Sequence, residues 1–227
     1  IEIGPRARKP VATLWPRGGS SFARPRWFKD GERLLLVHRD WRPDGASRLD
    51  LYVWNRKSGA TRRVTRGAAI RSADPSPDGR QAAAVRCLNG DCDLVLVDLA
   101  NGAVRTLAKG SPTVSWYRPR WSPDGRTIAA AVQREGLWRV ATVDPASGAV
   151  TELYPDERRA NRYDAAWTPD GRALVHVHDR GRHDVARDFE HGVLLPQTLS
   201  RCRAVRVTAG LRNRSATRDD GTPSVPA

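Results

Sequence analysis

Four times this chain writes a phrase that ends in Asp-Gly. The copies are PRWFKDG (25–31), ADPSPDG (73–79), PRWSPDG (119–125) and AAWTPDG (165–171), and their final glycines lie 48, 46 and 46 residues apart. A fixed period of this length means that one structural unit is being built repeatedly, and it outweighs any local reading of the sequence. After each Asp-Gly comes a short apolar run, at Leu34 to Val37, Ala82 to Val85, Ile128 to Val132 and Leu174 to Val177. Runs of four or five apolar residues flanked by turn residues read as buried strands. A second β-like segment follows at Leu49 to Trp54, Asp93 to Val97, Leu137 to Val143 and, with a weaker pattern, Asp184 to Ala186. It ends in a second punctuation, Asn or Asp, three residues, then Gly, at Asn55 to Gly59, Asp98 to Gly102, Asp144 to Gly148 and Asp188 to Gly192. The first three copies then add a last strand, ATRRVT, AVRTLA and AVTELY.

Each repeat is therefore four short strands joined by hairpin turns. Proline presets φ for the first central position of a type I turn, aspartate tolerates the second, and glycine takes the left-handed position that follows. Asp30, Gly31, Asp78, Gly79, Asp124, Gly125, Asp170 and Gly171 are thus expected to be structural turn residues, with no chemistry of their own. Trp27, Trp121 and Trp167, with Pro75 in the second copy, are expected to pack between neighbouring sheets. Four-stranded units repeated at this spacing are the sign of a β-propeller. A β-sandwich also shows regular strand spacing, whereas helical solenoids are excluded because no 3.6-residue periodicity is present.

The chain has 227 residues, 39 of them basic, and a formal charge of +14. Such a charge invites a nucleic-acid partner, yet only Lys9, Lys29, Lys57 and Lys109 are lysines and the arginines are scattered over every repeat. That distribution describes an arginine-coated, solvated surface, so no specific nucleic-acid partner is expected. No run of eighteen apolar residues exists, and no membrane insertion is expected.

The phrase PRWSPDGRTIAAAV, followed by LWRVATVDPASGAVTEL, resembles the WD40-like (PD40) repeat of TolB-type β-propellers, which also occurs in the propeller domains of prolyl-oligopeptidase-type (S9-type) peptidases. The resemblance covers about 21–192. It implies an all-β propeller with four recognisable four-stranded blades, at about 21–66, 67–111, 112–156 and 157–192, forming a fragment of a larger ring. It also implies a periplasmic or cell-envelope setting and protein partners that dock on rim loops. The expected function is a non-catalytic interaction scaffold, with no cofactor and no enzyme activity. The alternative is an accessory, substrate-gating propeller of a larger peptidase whose catalytic domain is absent.

The repeat fails at its ends. Residues 1–20 hold PVATLW, which reads either as the outer strand of a preceding blade or as a strand that closes the ring on blade four. The chain begins at Ile1 and has no methionine, as a processed product or a fragment would. Repeat one carries five extra residues in HRDWRPDGASR, a loop with an exposed Trp41. After Gly192 the closing strand is replaced by VLLPQT, and only RAVRVTAG, from Arg203, looks like that strand again. The stretch 193–227 is expected to be an irregular, disordered or aberrant tail that leaves the propeller uncompleted, as a truncated or shifted reading frame would.

Two features invite chemistry. Cys87 and Cys92 bracket LNGD, and if Asn89-Gly90 makes a two-residue type I′ turn, the cysteines lie directly opposite each other in a non-hydrogen-bonded pair. A cross-strand disulfide is expected in an oxidising compartment, and two thiols otherwise. His176 and His178 share one strand face, with Asp179 and His183 near, but His38 occupies the same repeat position as His178, and no metal site is expected. No G-x-S-x-G, H-E-x-x-H, P-loop or Rossmann motif is present, so no catalytic residues are assigned.

Overall fold

In a computed structural model, the described residues are 21–41, 45–155 and 160–179, together with the backbone of 203–206. Among them there is no helix, and hence none long and apolar enough to cross a membrane. Blade 1 is an antiparallel sheet of β1 (Ser21–Trp27), β2 (Arg33–Trp41), β3 (Ser47–Asn55) and β4 (Thr61–Arg63). Blade 2 repeats that order with β5 (Ile70–Pro75), β6 (Gln81–Leu88), β7 (Asp91–Asp98) and β8 (Val104–Ala108). Blade 3 comprises β9 (Val114–Trp121), β10 (Ile128–Arg134), β11 (Leu137–Val143) and β12 (Val150–Glu152). Blade 4 holds β13 (Asn161–Trp167), β14 (Ala173–Asp179) and β15 (Arg203–Arg206). This is an arc of a propeller with one set of antiparallel strands per sequence repeat, and a single parallel bridge between β7 and β9 joins those of blades 2 and 3 into one eight-stranded sheet.

One detail differs from the sequence reading. Arg203–Arg206, expected as a closing fourth strand, pairs directly with β14, the place that β3, β7 and β11 take in the other blades. The segments 1–20, 184–186 and 188–192, to which other expectations attach, lie outside the described residues.

The turns owe their shape to more than proline, aspartate and glycine. Asp30, Asp78, Asp124 and Asp170 each accept, through Oδ1, the N–H two residues on, at 2.9 to 3.1 Å. In blades 2 to 4 a hydroxyl completes the loop. Ser76, Ser122 and Thr168 donate to the same aspartate oxygen and accept the N–H of Gln81, Thr127 and Ala173 at 3.0 Å. The hydroxyl spans the hairpin neck, so it holds the aspartate and the following strand in one register. The Ser76 and Ser122 hydrogen bonds are the main reason that Asp78 and Asp124 titrate below the ordinary carboxylate range.

Side chains that alternate along a strand point to opposite faces of the sheet, so each blade has one face for the blade before it and one for the blade after. Leu35, Val37, Leu51 and Val53 of blade 1 pack against Ala73, Ala82, Ala84, Val95 and Val97 of blade 2. The other face of blade 2, Ala83, Val85, Leu94 and Leu96, packs against Trp116, Trp121, Ile128, Ala130 and Val132 of blade 3. Ala129 and Val140 then meet Ala165 and Leu174 of blade 4. The alanine runs in β6 and β10 let sheets approach closely enough for the tryptophans opposite to fill the gap.

Tryptophan burial follows from this order. Trp121 and Trp167 lie in the joints with the preceding blade. Trp27, expected to be buried in the same way, is 41% exposed and makes an edge contact with Trp54, because no described blade precedes blade 1.

The second punctuation does two jobs. The side chains of Asn55, Asp98 and Asp144 accept the N–H groups two and three residues on, which closes the turn. The glycine that follows also sets how near two blades come. A Cβ on Gly102, where φ is +77°, would stand 2.2 Å from the Val64 carbonyl oxygen of blade 1, and one on Gly148 would stand 2.7 Å from the Leu107 carbonyl oxygen of blade 2. Gly102→Ala is expected to destabilise the fold by at least about 2 kcal/mol, combining a left-handed backbone with a backbone clash. Gly59→Ala is the control, since its Cβ meets nothing within 4 Å, and urea unfolding of the two variants measures the difference.

Candidate functional site

The inner strands β1, β5, β9 and β13 contact one another in succession. Three of them carry the same irregularity. Each breaks its register with the next strand in mid-course, between Ala23 and Arg26, opposite Ala129 and Ala131, and between Tyr163 and Ala166. At these bulges Arg24, Arg118 and Asp164 have φ of 51°, 45° and 53°. A left-handed conformation at a non-glycine residue is unfavourable by about 1–2 kcal/mol, and bulges commonly serve to re-aim a side chain. Blade 2 keeps its shift nearer the strand start, between Ile70 and Ser72, with Ala69 left-handed instead.

The re-aimed residues join the blades to one another. Arg118 Nη1 donates to Asp164 Oδ1 at 2.6 Å, linking blades 3 and 4. Arg24 reaches past blade 2 altogether, donating to the Tyr117 hydroxyl at 3.3 Å, with its guanidinium carbon 5.4 Å from the ring centroid. Two residues closer to the turns, Arg26 Nε donates to Asp74 Oδ1 at 2.6 Å, while Asp74 Oδ2 accepts the buried Trp121 N–H at 2.9 Å. Asp74 therefore ties blades 1, 2 and 3 together. Trp167 Nε1 donates to the Arg120 carbonyl at 3.1 Å, extending the chain of contacts to blade 4.

Arg120 occupies the centre of this group. Burial, and then the like charge of Arg26, push its guanidinium below the ordinary arginine value, with Arg118 adding to the effect and Asp74 and Asp164 opposing it. Charges on all four inner strands thus act on one side chain. Its Nη1 donates to the neighbouring Pro119 carbonyl at 2.8 Å. Arg118, by contrast, is raised: burial works against its charge, but Asp164 and Tyr117 outweigh burial.

The residues singled out from sequence lie elsewhere. The four Asp-Gly turns form a continuous arc at the end of the blades from which β2, β6, β10 and β14 start. Gly79 stands against Phe28 and Arg33, Gly125 against Pro77, and Gly171 against Pro123, each in the preceding blade. Cys87 and Cys92 sit near the opposite end, in the β6–β7 hairpin. They face each other in register, with Cα atoms 4.1 Å apart and sulfurs joined, next to Asn89 and Gly90 with φ of 51° and 94°. Cys92 also forms the parallel bridge to Ser115 that connects blade 2 to blade 3. In the isolated protein a bond between these cysteines should appear as a gain of two hydrogens in mass on reduction, and Cys87→Ser should abolish that change.

His176 is buried, with Nε2 3.4 Å from the Tyr154 hydroxyl, and among the described residues no group of three His, Cys, Asp or Glu comes together as a metal site. Trp41, at the end of β2, is 52% exposed. Sequence reasoning missed the inner-strand cluster altogether. The available signal was a charged residue at one fixed distance before the turn glycine, Arg26, Asp74 and Arg120, in strands otherwise expected to be buried.

No protein-family model and no curated protein matches the chain. Solved structures do. A TolB from Agrobacterium tumefaciens superposes with a TM-score of 0.57 at 25% identity, over 70% of this chain and 54% of that one. The chain has a TolB-like propeller fold. A puromycin hydrolase matches at a TM-score of 0.61 and 23% identity, over 76% of this chain and 30% of the hydrolase. The β-propeller domain of the Trilobed protease from Pyrococcus furiosus, described as having an open velcro topology, matches at 0.53 and 17% identity, over 69% and 48% of the two chains. The TolB-like arc thus spans about half or less of each of these proteins, and is shared by TolB and by the propeller parts of hydrolases.

Proposed function

We propose that the chain is a non-catalytic protein-interaction module, a TolB-like propeller arc of the bacterial cell envelope that presents a partner-binding surface where its inner strands meet. The observation that supports this most directly is the set of left-handed bulges at equivalent positions of β1, β9 and β13. They turn Arg24, Arg118 and Asp164 into inter-blade contacts and keep the surface rigid. Rigid display lowers the entropic cost of docking, because the contact groups are ordered before the partner arrives. The rim hairpins, with exposed Trp41 and Leu88, supply apolar contacts beside it. A second reading, an accessory propeller that gates substrate for a peptidase, draws on the match to the puromycin hydrolase.

Immobilised full-length protein, exposed to solubilised envelope proteins, tests the choice. Saturable, stoichiometric recovery of one partner supports the scaffold. Peptide hydrolysis by the complete gene product, with no partner retained, overturns it in favour of the gating role.

A further inference from the structure

The inner strands carry six arginines, Arg24, Arg26, Arg71, Arg118, Arg120 and Arg162, against two aspartates, Asp74 and Asp164. Both carboxylates are already committed. Asp74 holds Arg26 and the Trp121 N–H, and Asp164 holds Arg118. Arg162 stacks on Tyr154, with its guanidinium carbon 3.8 Å from the ring centroid. Arg120 makes no ion pair with any described carboxylate, although it lies between two arginines that do. Three guanidinium groups therefore converge on two carboxylates, and the point of convergence is short of one negative charge.

We propose that Arg120, flanked by Arg26 and Arg118 where the four inner strands meet, binds a carboxylate from an acidic, extended segment of a partner protein. This rests on the interaction-module reading and names the chemistry of the partner. A planar guanidinium presents a fork of N–H groups that matches a carboxylate in two parallel hydrogen bonds. The pattern around it selects against a nucleic-acid backbone. A polyphosphate needs an uninterrupted basic track, whereas Asp74 and Asp164 interrupt this one on both sides and would repel successive phosphates. A single carboxylate needs only the one unmatched guanidinium. Arg24, exposed at the β1 bulge and held over Tyr117 of β9, offers a second contact for a following acidic residue.

Fluorescence anisotropy with the full chain and a fluorescein-labelled peptide of alternating Glu and Gly tests the assignment. Peptide of alternating Gln and Gly, inorganic phosphate and an oligothymidylate serve as competitors. The expected result is saturable binding of the Glu peptide, displacement by neither phosphate nor oligothymidylate at equal concentration, and at least a tenfold loss in R120Q with no loss in R126Q. Arg126 is an exposed arginine on the turn that follows β9, so that variant makes the same change in net charge nearby without altering the inner strand. Equal losses in the two variants, or preferential displacement by phosphate or oligothymidylate, overturn the proposal. Because Arg120 is partly buried, R120K is measured alongside. If R120Q fails to fold, a severalfold loss in folded R120K supports the two-pronged contact, and unchanged binding overturns it. A protein that retains an envelope partner but ignores the Glu peptide refutes this inference alone, and leaves the scaffold standing.

Discussion

Replacing Asp50 by alanine is expected to lower the unfolding free energy by about 3–5 kcal/mol, the range for removing one member of a buried, hydrogen-bonded charge pair. The side chain of Asp50 is fully buried in β3 and makes four contacts that no other group can supply. Its oxygens accept from Arg63 Nη2 at 2.6 Å, from the Thr65 hydroxyl at 2.7 Å, and from the N–H groups of Gly67 and Ala68 at 2.9 Å. The last three belong to the connection between blades 1 and 2. Alanine would leave two part-buried N–H groups and a guanidinium without this acceptor, and the connection would lose the anchor that delivers β5 to its place. Asp93 has the corresponding role in blade 2, accepting the Gly110 N–H at 2.8 Å and pairing with Arg86.

The same site governs an acid transition. Burial raises the Asp50 carboxyl, but the hydrogen bonds from Ala68, Gly67, Thr65 and Arg63 together outweigh it, so the folded-state value lies below the ordinary one. A group depressed by folding contributes stability that is fully present above the unfolded value, about 3.9 for aspartate. That contribution is lost as pH falls through the folded value. Several turn aspartates are lowered too, so the informative quantity is the difference between wild type and Asp50→Asn. It should be largest near neutrality and shrink steadily below about pH 4. Urea midpoints collected across that range give it directly, and a difference that does not change with pH would remove Asp50 as the cause.

Trp116→Ala should be comparably severe, at about 3–5 kcal/mol. Trp116 is 2% exposed and stands in the joint between blades 2 and 3, among Ala83, Val85, Leu94 and Leu96. Its Nε1 donates to the Lys109 carbonyl at 3.3 Å, so the ring also steadies the loop that enters β9. The alanines around it cannot close a cavity of that size, because they sit on paired strands whose spacing is fixed by the ladder. Trp116→Phe retains most of the ring volume and forfeits the hydrogen bond, and a loss of about 1–2 kcal/mol is expected. Thermal and urea unfolding of both variants, with tryptophan emission followed through the remaining indoles, checks the order Ala well below Phe below wild type.

What could be read in advance and what could not divide along a physical line. The turns were legible because their rules are local: Pro77, Asp78 and Gly79 shape a hairpin through contacts within five residues. The cysteine register was legible for the same reason, since counting outward from Asn89-Gly90 places Cys87 opposite Cys92 without reference to the rest of the molecule. Even so, the hydroxyls of Ser76, Ser122 and Thr168 went unassigned, although the phrase itself displays them. The inner-strand cluster was invisible for a different reason. Arg26, Asp74, Arg120 and Ala166 occupy one position of the repeat, Arg24, Ser72, Arg118 and Asp164 another, and in an alignment of repeats such variety looks like tolerance. Only the folded arc shows that variation there is complementarity: Arg26 meets Asp74 across 48 residues and Arg118 meets Asp164 across 46, spacings that match the repeat itself. Trp27 was misjudged because a residue can fill a joint only where the neighbouring blade is present.

The glycine contacts give the arc a direction. Gly102 and Gly148 press on the backbone of the blade before them, never on the one after, and Gly59 at the first blade presses on nothing described. Every joint is therefore made from two unlike surfaces, as the links of a chain are joined hook to eye. Such a joint keeps one sense along the arc, so a blade gained by duplication of a whole repeat would keep the glycine contact, while pairs such as Arg26–Asp74 and Arg118–Asp164 would have to be matched anew. A blade inserted in the reverse sense would find no matching surface on either side.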